Sequence, residues 1–273
     1  MTISTIRKTV WKYYREHGRH TLPWRKTHDP YKVLVSEVML QQTQVDRVVP
    51  YFKAWMKEYP TVSALAAAPL ARVLASWQGL GYNRRAKMLH EAAKAVMREH
   101  GGKMPKSVEG LESLPGVGPY TARAVAAFAY NQDVIFVETN IRTVIIHHAF
   151  GDRSGISDAE ITAVLEKLLP QAKKEGSVRE WYAALMDYGA HLKRSGVKLN
   201  ARSKGYTKQP KFEGSSRQVR GAILKELVNG PATQAKLEKL FDGERKKDIQ
   251  VQLKRLLSEG LVEKGGRSYR LPI

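Results

Sequence analysis

The stretch Leu114-Pro115-Gly116-Val117-Gly118-Pro119-Tyr120-Thr121 constrains this chain more than any other. Two glycines, one residue apart, lie between a short helical segment and the apolar run Ala122 to Tyr130. The pattern predicts a tight turn joining two helices, because glycine accepts positive φ and puts no side chain between backbone and partner. Amides of such a turn, with a helix starting behind them, form a socket for an anion. Taken alone, an ordinary helix–helix connection explains the pattern equally well. Charge tips the reading: a net +20 over 273 residues draws polyanions, and a nucleic-acid phosphate is the natural occupant.

The body reads as all-α. Apolar residues at helical spacing predict helices over 3–17, 32–42, 45–57, 84–100, 140–149, 158–168 and 178–192, with a short segment from Pro69 to Trp77. Ser157 and Glu160 form a capping box, and 133–137 is a loop entering the next helix. Runs rich in β-branched residues are scarce. After Leu192 the texture changes. Lys193, Arg194, Lys198, Arg202, Lys204, Lys208 and Lys211 follow with no acidic residue among them, while Gly196, Gly205 and Pro210 oppose a long helix. Residues 193–212 are therefore a basic tether, either solvated or ordered along phosphates.

Residues 213–273 predict a small winged helix-turn-helix-like α+β domain: helices over 218–228, 233–241 and 246–258, then two short strands joined by Gly265-Gly266. Such a unit binds duplex DNA, contacts another protein or packs on the body, and its mild basic bias does not choose. The chain has no cysteine, which excludes disulfides, thiolate catalysis and cysteine-ligated clusters. No signal-peptide core or membrane-length apolar run is present, so a soluble intracellular protein is expected.

Two carboxylates carry candidate chemistry. On the predicted 32–42 helix, continued to Gln44, the residues Glu37, Gln41 and Gln44 share a face. A carboxyl among apolar neighbours keeps its proton, as a general acid requires; a solvent-facing glutamate on an amphipathic helix is the plain alternative. Gln41, Gln42 and Gln44 supply amides that bond base edges or fill the gap left by an extruded base. Glu138 and Asn140 stand at a helix entrance, where a cap is the plain reading. Functionally, Glu138 would steady the cation that develops on a sugar as its bond to a base breaks, while Glu37 protonates the base.

Leu22-Pro23-Trp24-Arg25, the run Ser36 to Val45, Gly79-Leu80-Gly81-Tyr82 and the Leu114–Thr121 turn, in that order, resemble the helix-hairpin-helix DNA glycosylases, and within them the MutY-type adenine glycosylases. The similarity runs from about residue 5 to about residue 192, including Met186-Asp187-Tyr188-Gly189-Ala190. It implies two helical lobes, one from 1–25 with 129–192 and one from 26–128 carrying the hairpin. It also implies a monofunctional DNA glycosylase acting on a flipped base, most simply a mispaired adenine. In that reading Glu37 protonates the base, Asn140 supports the acid, and Gln41 and Tyr82 enter the duplex, with Arg25, Gln42, Gln44 and Asn83 around the substrate. Gly116, Val117, Gly118, Tyr120 and Thr121 meet the DNA backbone, joined by Lys193, Arg194, Lys198, Arg202 and Lys204. Tyr120 stands where bifunctional relatives carry a Schiff-base lysine; a phenol forms no imine, so simple hydrolysis follows.

This chain departs from the family pattern at several points. Glu138 stands in place of an aspartate, Asn83 in place of a tyrosine, and the basic tether in place of the four-cysteine iron–sulfur loop. The winged-helix-like unit replaces the domain that recognises 8-oxoguanine. No cofactor is expected, and no iron–sulfur cluster; a structural monovalent cation at the hairpin is the one candidate ion. The expected partner is duplex DNA carrying a mismatched or damaged base, bound by a monomer. Excision of thymine or cytosine, or a non-catalytic damage sensor, are the competing readings.

Overall fold

Short polar side chains decide where many of the helices begin. Thr2, Thr61, Ser107, Ser157, Ser177 and Ser215 each accept a bond from the main-chain N–H three residues on, satisfying an amide the helix leaves unpaired. The computed structural model describes residues 2–207 and 211–272, so Lys208 and Pro210 lie outside the described residues. Its helices are α1 (Ile3–His17), α2 (Pro30–Leu40), α3 (Val45–Glu58), α4 (Val62–Ala67), α5 (Leu70–Ser76), α6 (Arg84–Glu99), α7 (Val108–Glu112), α8 (Pro119–Tyr130), α9 (Thr139–Ala149), α10 (Asp158–Ala172), α11 (Val178–Arg194), α12 (Ser216–Val228), α13 (Gln234–Glu238) and α14 (Lys246–Ser258). Three short strands, β1 (Ala232–Thr233), β2 (Glu263–Gly265) and β3 (Ser268–Arg270), form an antiparallel sheet in the order β1-β3-β2. The all-α body and small α+β segment are as expected.

Several boundaries differ for identifiable reasons. Helix α4 is an addition, started by the Thr61 cap. The helix expected over 233–241 stops at Glu238, because Phe241 and Asp242 take left-handed backbone. Most consequentially, α2 ends at Leu40 rather than Gln42, and Gln42 has φ 55°. Gln41 and Gln42 therefore lie in a turn and Gln44 is the N-cap of α3, so Glu37, Gln41 and Gln44 do not share a helix face.

The chain forms two compact units: residues 1–37, 105–113 and 117–208, and residues 38–104, 114–116 and 209–273. These borders differ from the lobes expected from sequence, since 26–37 join the first unit and the C-terminal segment joins 38–104. In the first, α1, α8, α9, α10 and α11 enclose an apolar core around Trp11, Ile145, Leu165 and Trp181. Phe136 stacks on Tyr182 with ring centres 4.0 Å apart. Asp187, 1% exposed, accepts from the Arg19 N–H at 2.8 Å and pairs with the Arg19 and Arg25 guanidiniums. Residues 195–207 are ordered on this unit: Ile156 N donates to Arg202 O and Lys204 N to Ile156 O. Lys193 and Arg194 belong to the last turn of α11 rather than to the stretch that follows it.

In the second unit Trp77 and Tyr59 flank Trp55 edge-on. The C-terminal segment is fastened to α5 and α6 at named points: Pro272 O accepts from Ala71 N at 2.9 Å, and Lys87 Nζ reaches Glu259 O at 2.5 Å.

Helices α9 and α11 approach closely at Gly189, where an added Cβ would lie 2.2 Å from Asn140 O. Gly189→Ala is expected to push the first turn of α9 away at a cost of about 1–3 kcal/mol. Urea unfolding measures it; an alanine variant as stable as wild type would show that the two helices separate freely.

Candidate active site

Helix α2 carries Glu37 past the buried residues Tyr31, Val33, Leu34 and Val35, and leaves it only 6% exposed. Charge in such a place is disfavoured, and the plain alternative of a solvated glutamate is excluded. Burial pushes the Glu37 pKa up to about 7. The Tyr120 hydroxyl, donating to Glu37 Oε2 at 3.0 Å, pulls it down; the charge of Glu138 pushes it up and that of Arg25 pulls it down. A carboxyl held near neutrality gives up a proton and takes one back with little driving force either way.

Tyr120 comes from the first turn of α8 and meets Phe136 edge-on, ring centres 5.7 Å apart. Burial, then the charges of Glu37 and Glu138, raise its pKa well above the usual phenol range, so it remains a donor. Glu138 is the N-cap of α9: its carboxylate accepts from Asn140 N at 2.6 Å and from Asn140 Nδ2 at 3.2 Å. The capping role of Glu138 is thus observed, and the same side chain acts electrostatically on Glu37 and Tyr120. Lys193, from the last turn of α11, feels the same anion; burial lowers its pKa and Glu138 raises it. Glu37, Tyr120, Glu138 and Asn140 are therefore brought together in the first unit.

Arg25 is part of the support. Its two terminal nitrogens bind Asp187 at 2.5 and 2.8 Å, and Nη2 also donates to Ala183 O. Burial alone would raise the Asp187 pKa, but Arg25 and Arg19 hold its carboxyl below the usual range. Arg202 is tied to Gly151 O and Asp152, whereas Arg194, Lys198 and Lys204 are exposed.

Gln41, Gln42, Gln44, Tyr82 and Asn83 lie in the second unit around a residue that sequence reasoning missed. Arg85 donates to the carbonyls of Val38 (2.8 Å), Met39 (3.2 Å) and Gln41 (2.5 Å) from Nη1, and to those of Leu80 (3.2 Å) and Gly81 (3.0 Å) from Nη2. One guanidinium thus closes the C-terminus of α2 and grips the turn holding Tyr82, whose φ is 49°. Burial pushes the Arg85 pKa down to about 10, leaving it charged at neutral pH. The Tyr82 hydroxyl is 2.8 Å from Arg217 Nη1, and Asn83 precedes α6 without a side-chain cap bond. Arginine after a glycine turn has no periodic signature; only the convergence of carbonyls identifies its role.

At the hairpin between α7 and α8, Gly116 has φ 74°, and its Cβ would lie 2.4 Å from Met88 Cβ. Gly118 does not use positive φ: it is the extended N-cap of α8 at φ −89°, with open space where a Cβ would stand. Only the first glycine is demanded by the backbone; Val117 is buried, and Pro119 opens α8 ahead of Tyr120 and Thr121.

Residues 35–171 match the family described as HhH-GPD superfamily base excision DNA repair protein. An adenine DNA glycosylase of Mycolicibacterium smegmatis is 37% identical over 281 residues, covering 96% of this chain and 94% of that protein. An adenine DNA glycosylase of Mycobacterium tuberculosis (strain H37Rv) is 39% identical over 257 residues, covering 86% and 83%. Among solved structures, a thermostable thymine-DNA glycosylase is similar with TM-score 0.56 and 28% identity over 69% of this chain and 84% of its own. A trapped endonuclease III–DNA covalent intermediate, at 20% identity and TM-score 0.56, covers 80% of this chain and 94% of that one and shares the fold.

The raised Glu37 pKa has a stability consequence. The folded state holds this proton up to about 7, against 4.5 for the ordinary group, so its contribution falls as pH rises between those values and is gone above them. Glu37→Gln has no charge to bury. Its stability relative to wild type is expected to rise by on the order of 3 kcal/mol across that window. Denaturant unfolding at successive pH values measures the difference; parallel curves would mean that Glu37 ionises without penalty.

Proposed function

The chain belongs to the HhH-GPD superfamily of base excision DNA repair proteins, and from that premise we propose that it is a monofunctional DNA glycosylase. It acts as a monomer on duplex DNA and hydrolyses the N-glycosidic bond of a flipped base, adenine in a mismatch. The observation that carries this reading is the buried Glu37 carboxyl, held near neutrality and hydrogen-bonded by Tyr120, with Glu138 as the neighbouring anion.

In the proposed reaction Glu37 gives its proton to a ring nitrogen of the departing base. The bond from C1′ to the base breaks, and its electron pair leaves with the base. The oxocarbenium-like sugar that develops is steadied by Glu138, and a water oxygen forms the new bond to C1′. The proton lost by that water returns to the carboxylate pair. Tyr120 keeps its proton and stabilises the Glu37 anion present after transfer. It forms no imine with the sugar, so no strand cleavage follows. Asn140 fixes the Glu138 carboxylate through its main-chain and side-chain N–H groups.

Gln41 and Tyr82 are proposed to enter the duplex from the two turns gripped by Arg85, and the hairpin amides to bind phosphate. Among the described residues no cluster of His, Cys, Asp or Glu is able to hold a metal ion. A second reading, release of thymine, draws on the likeness to the thymine-DNA glycosylase; the more extensive likeness to adenine DNA glycosylases favours adenine.

Identification of the free base released from a panel of mismatched duplexes decides between these readings. Glu37→Gln is expected to slow release by at least about 10²–10⁴-fold with nearly unchanged duplex affinity. In wild type the rate should decline above about pH 7, as Glu37 loses its proton. A glutamine variant as fast as wild type would remove Glu37 from the reaction.

A further inference from the structure

The order α12, β1, α13, α14, β2, β3 is that of a helix-turn-helix backed by a hairpin, with α14 in the place of a recognition helix. The packing of this segment leaves that helix open. Helix α14 turns Ile249, Gln252, Leu253 and Leu256 inward, and its C-terminal end is tied to α6 through Glu259 O and Lys87. On its opposite side Lys247, Gln250, Val251 and Lys254 follow one another at one helical face, all exposed. The hairpin tip Lys264-Gly265-Gly266-Arg267, in the same segment, is exposed as well.

Two features separate this face from an ordinary solvated helix. The first is Val251, a large apolar side chain 48% exposed and bracketed by lysines and an amide. The second is charge: of the eight carboxylates from Lys211 onward, five are held by other side chains, Glu213, Asp242 and Glu244 not being among them. Glu226, Asp248, Glu259 and Glu263 pair with Lys236, Arg245, Arg220 and Arg270, and Glu238 accepts from Gln234 and Gln250. Among the described residues, Lys247, Lys254 and Arg267 have no carboxylate within ion-pair distance. Basic side chains around an amide and one apolar contact make a surface for a duplex. On such a duplex the lysines would meet phosphates, the amide oxygen of Gln250 a base edge, and Val251 apolar base atoms in the major groove.

We propose that the Lys247–Lys254 face of α14 and the Lys264–Arg267 tip form a second duplex-DNA contact surface, separate from the residues assigned to base removal. It binds undamaged duplex and requires no extruded base.

The test uses the full-length chain and an undamaged duplex, with affinity followed by fluorescence anisotropy across a salt series. A Lys247→Glu, Lys254→Glu, Arg267→Glu triple variant is expected to bind more weakly, with a log–log salt slope smaller by about 2 to 3, close to one unit per lost phosphate contact. The charge-preserving Lys247→Arg, Lys254→Arg, Arg267→Lys variant should remain at wild type. The absence of native cysteine allows a positional check. A photo-crosslinker on Val251→Cys should capture the duplex, and one on Val228→Cys, exposed at the end of α12, should not.

Wild-type affinity and slope in the charge-reversed variant, or equal capture from both cysteines, would overturn the proposal, as would preferential capture of RNA or protein by Val251→Cys. Base release in single turnover at saturating enzyme should be unchanged in the triple variant. Loss of base release in wild type itself would defeat the glycosylase reading and leave this one standing.

Discussion

Everything proposed for the first unit depends on one carboxyl being folded into a place that disfavours its charge. Burial drives Glu37 toward the neutral form, while a single phenol hydroxyl and the more remote Arg25 draw it back. The balance near neutrality is what a proton donor and acceptor needs, and it arises from opposed effects rather than from one strong partner. Maintaining it costs stability above neutral pH. The surrounding core of α1, α8, α9, α10 and α11 must supply the excess, and its interlocked Trp11, Trp181, Phe136 and Tyr182 rings are suited to that.

Glu138 illustrates how a local structural role and an electrostatic one coincide. A carboxylate at an N-cap is already favoured by the unpaired amides of the first turn. Here it also takes the Asn140 side-chain amide, so the side chain folds back on its own helix. The position of that turn is set by Gly189 of α11, which lets the main chain of Asn140 come close. Remote packing therefore governs where the anion stands.

The second unit solves a different problem, that of holding two irregular turns without regular secondary structure. Positive φ at Gln42 and Tyr82 costs energy in non-glycine residues, and Arg85 offsets it by donating to carbonyls on both sides. The C-terminal segment adds Arg217 at the Tyr82 hydroxyl, so the turn is gripped from two directions. The same segment is fastened through Arg217, Glu259 and its tail, which leaves one face of α14 and the hairpin tip exposed to solvent.

Much of this was legible from the chain alone because the information was local. Helical periodicity, the Ser157–Glu160 box, the glycine turn and the small terminal hairpin depend on residues a few positions apart, and they identified the helical body, its family resemblance and the two carboxylates. What failed was also local in form but decided elsewhere. Nothing near Leu40 announces that α2 stops there; the turn is held by Arg85, forty-five positions on by sequence numbering. Nor does the run beyond Leu192 reveal that it would be ordered, since its bridge to Ile156 depends on α10 being in place.

Sequence by itself determined which side chains were available for proton transfer, capping and charge. Only the tertiary structure decided that Glu37 is buried, that Tyr120 reaches it and that Arg25 is held by Asp187. A pKa follows from the dielectric and the neighbours around a group, and those are assembled from chain segments that periodicity cannot connect.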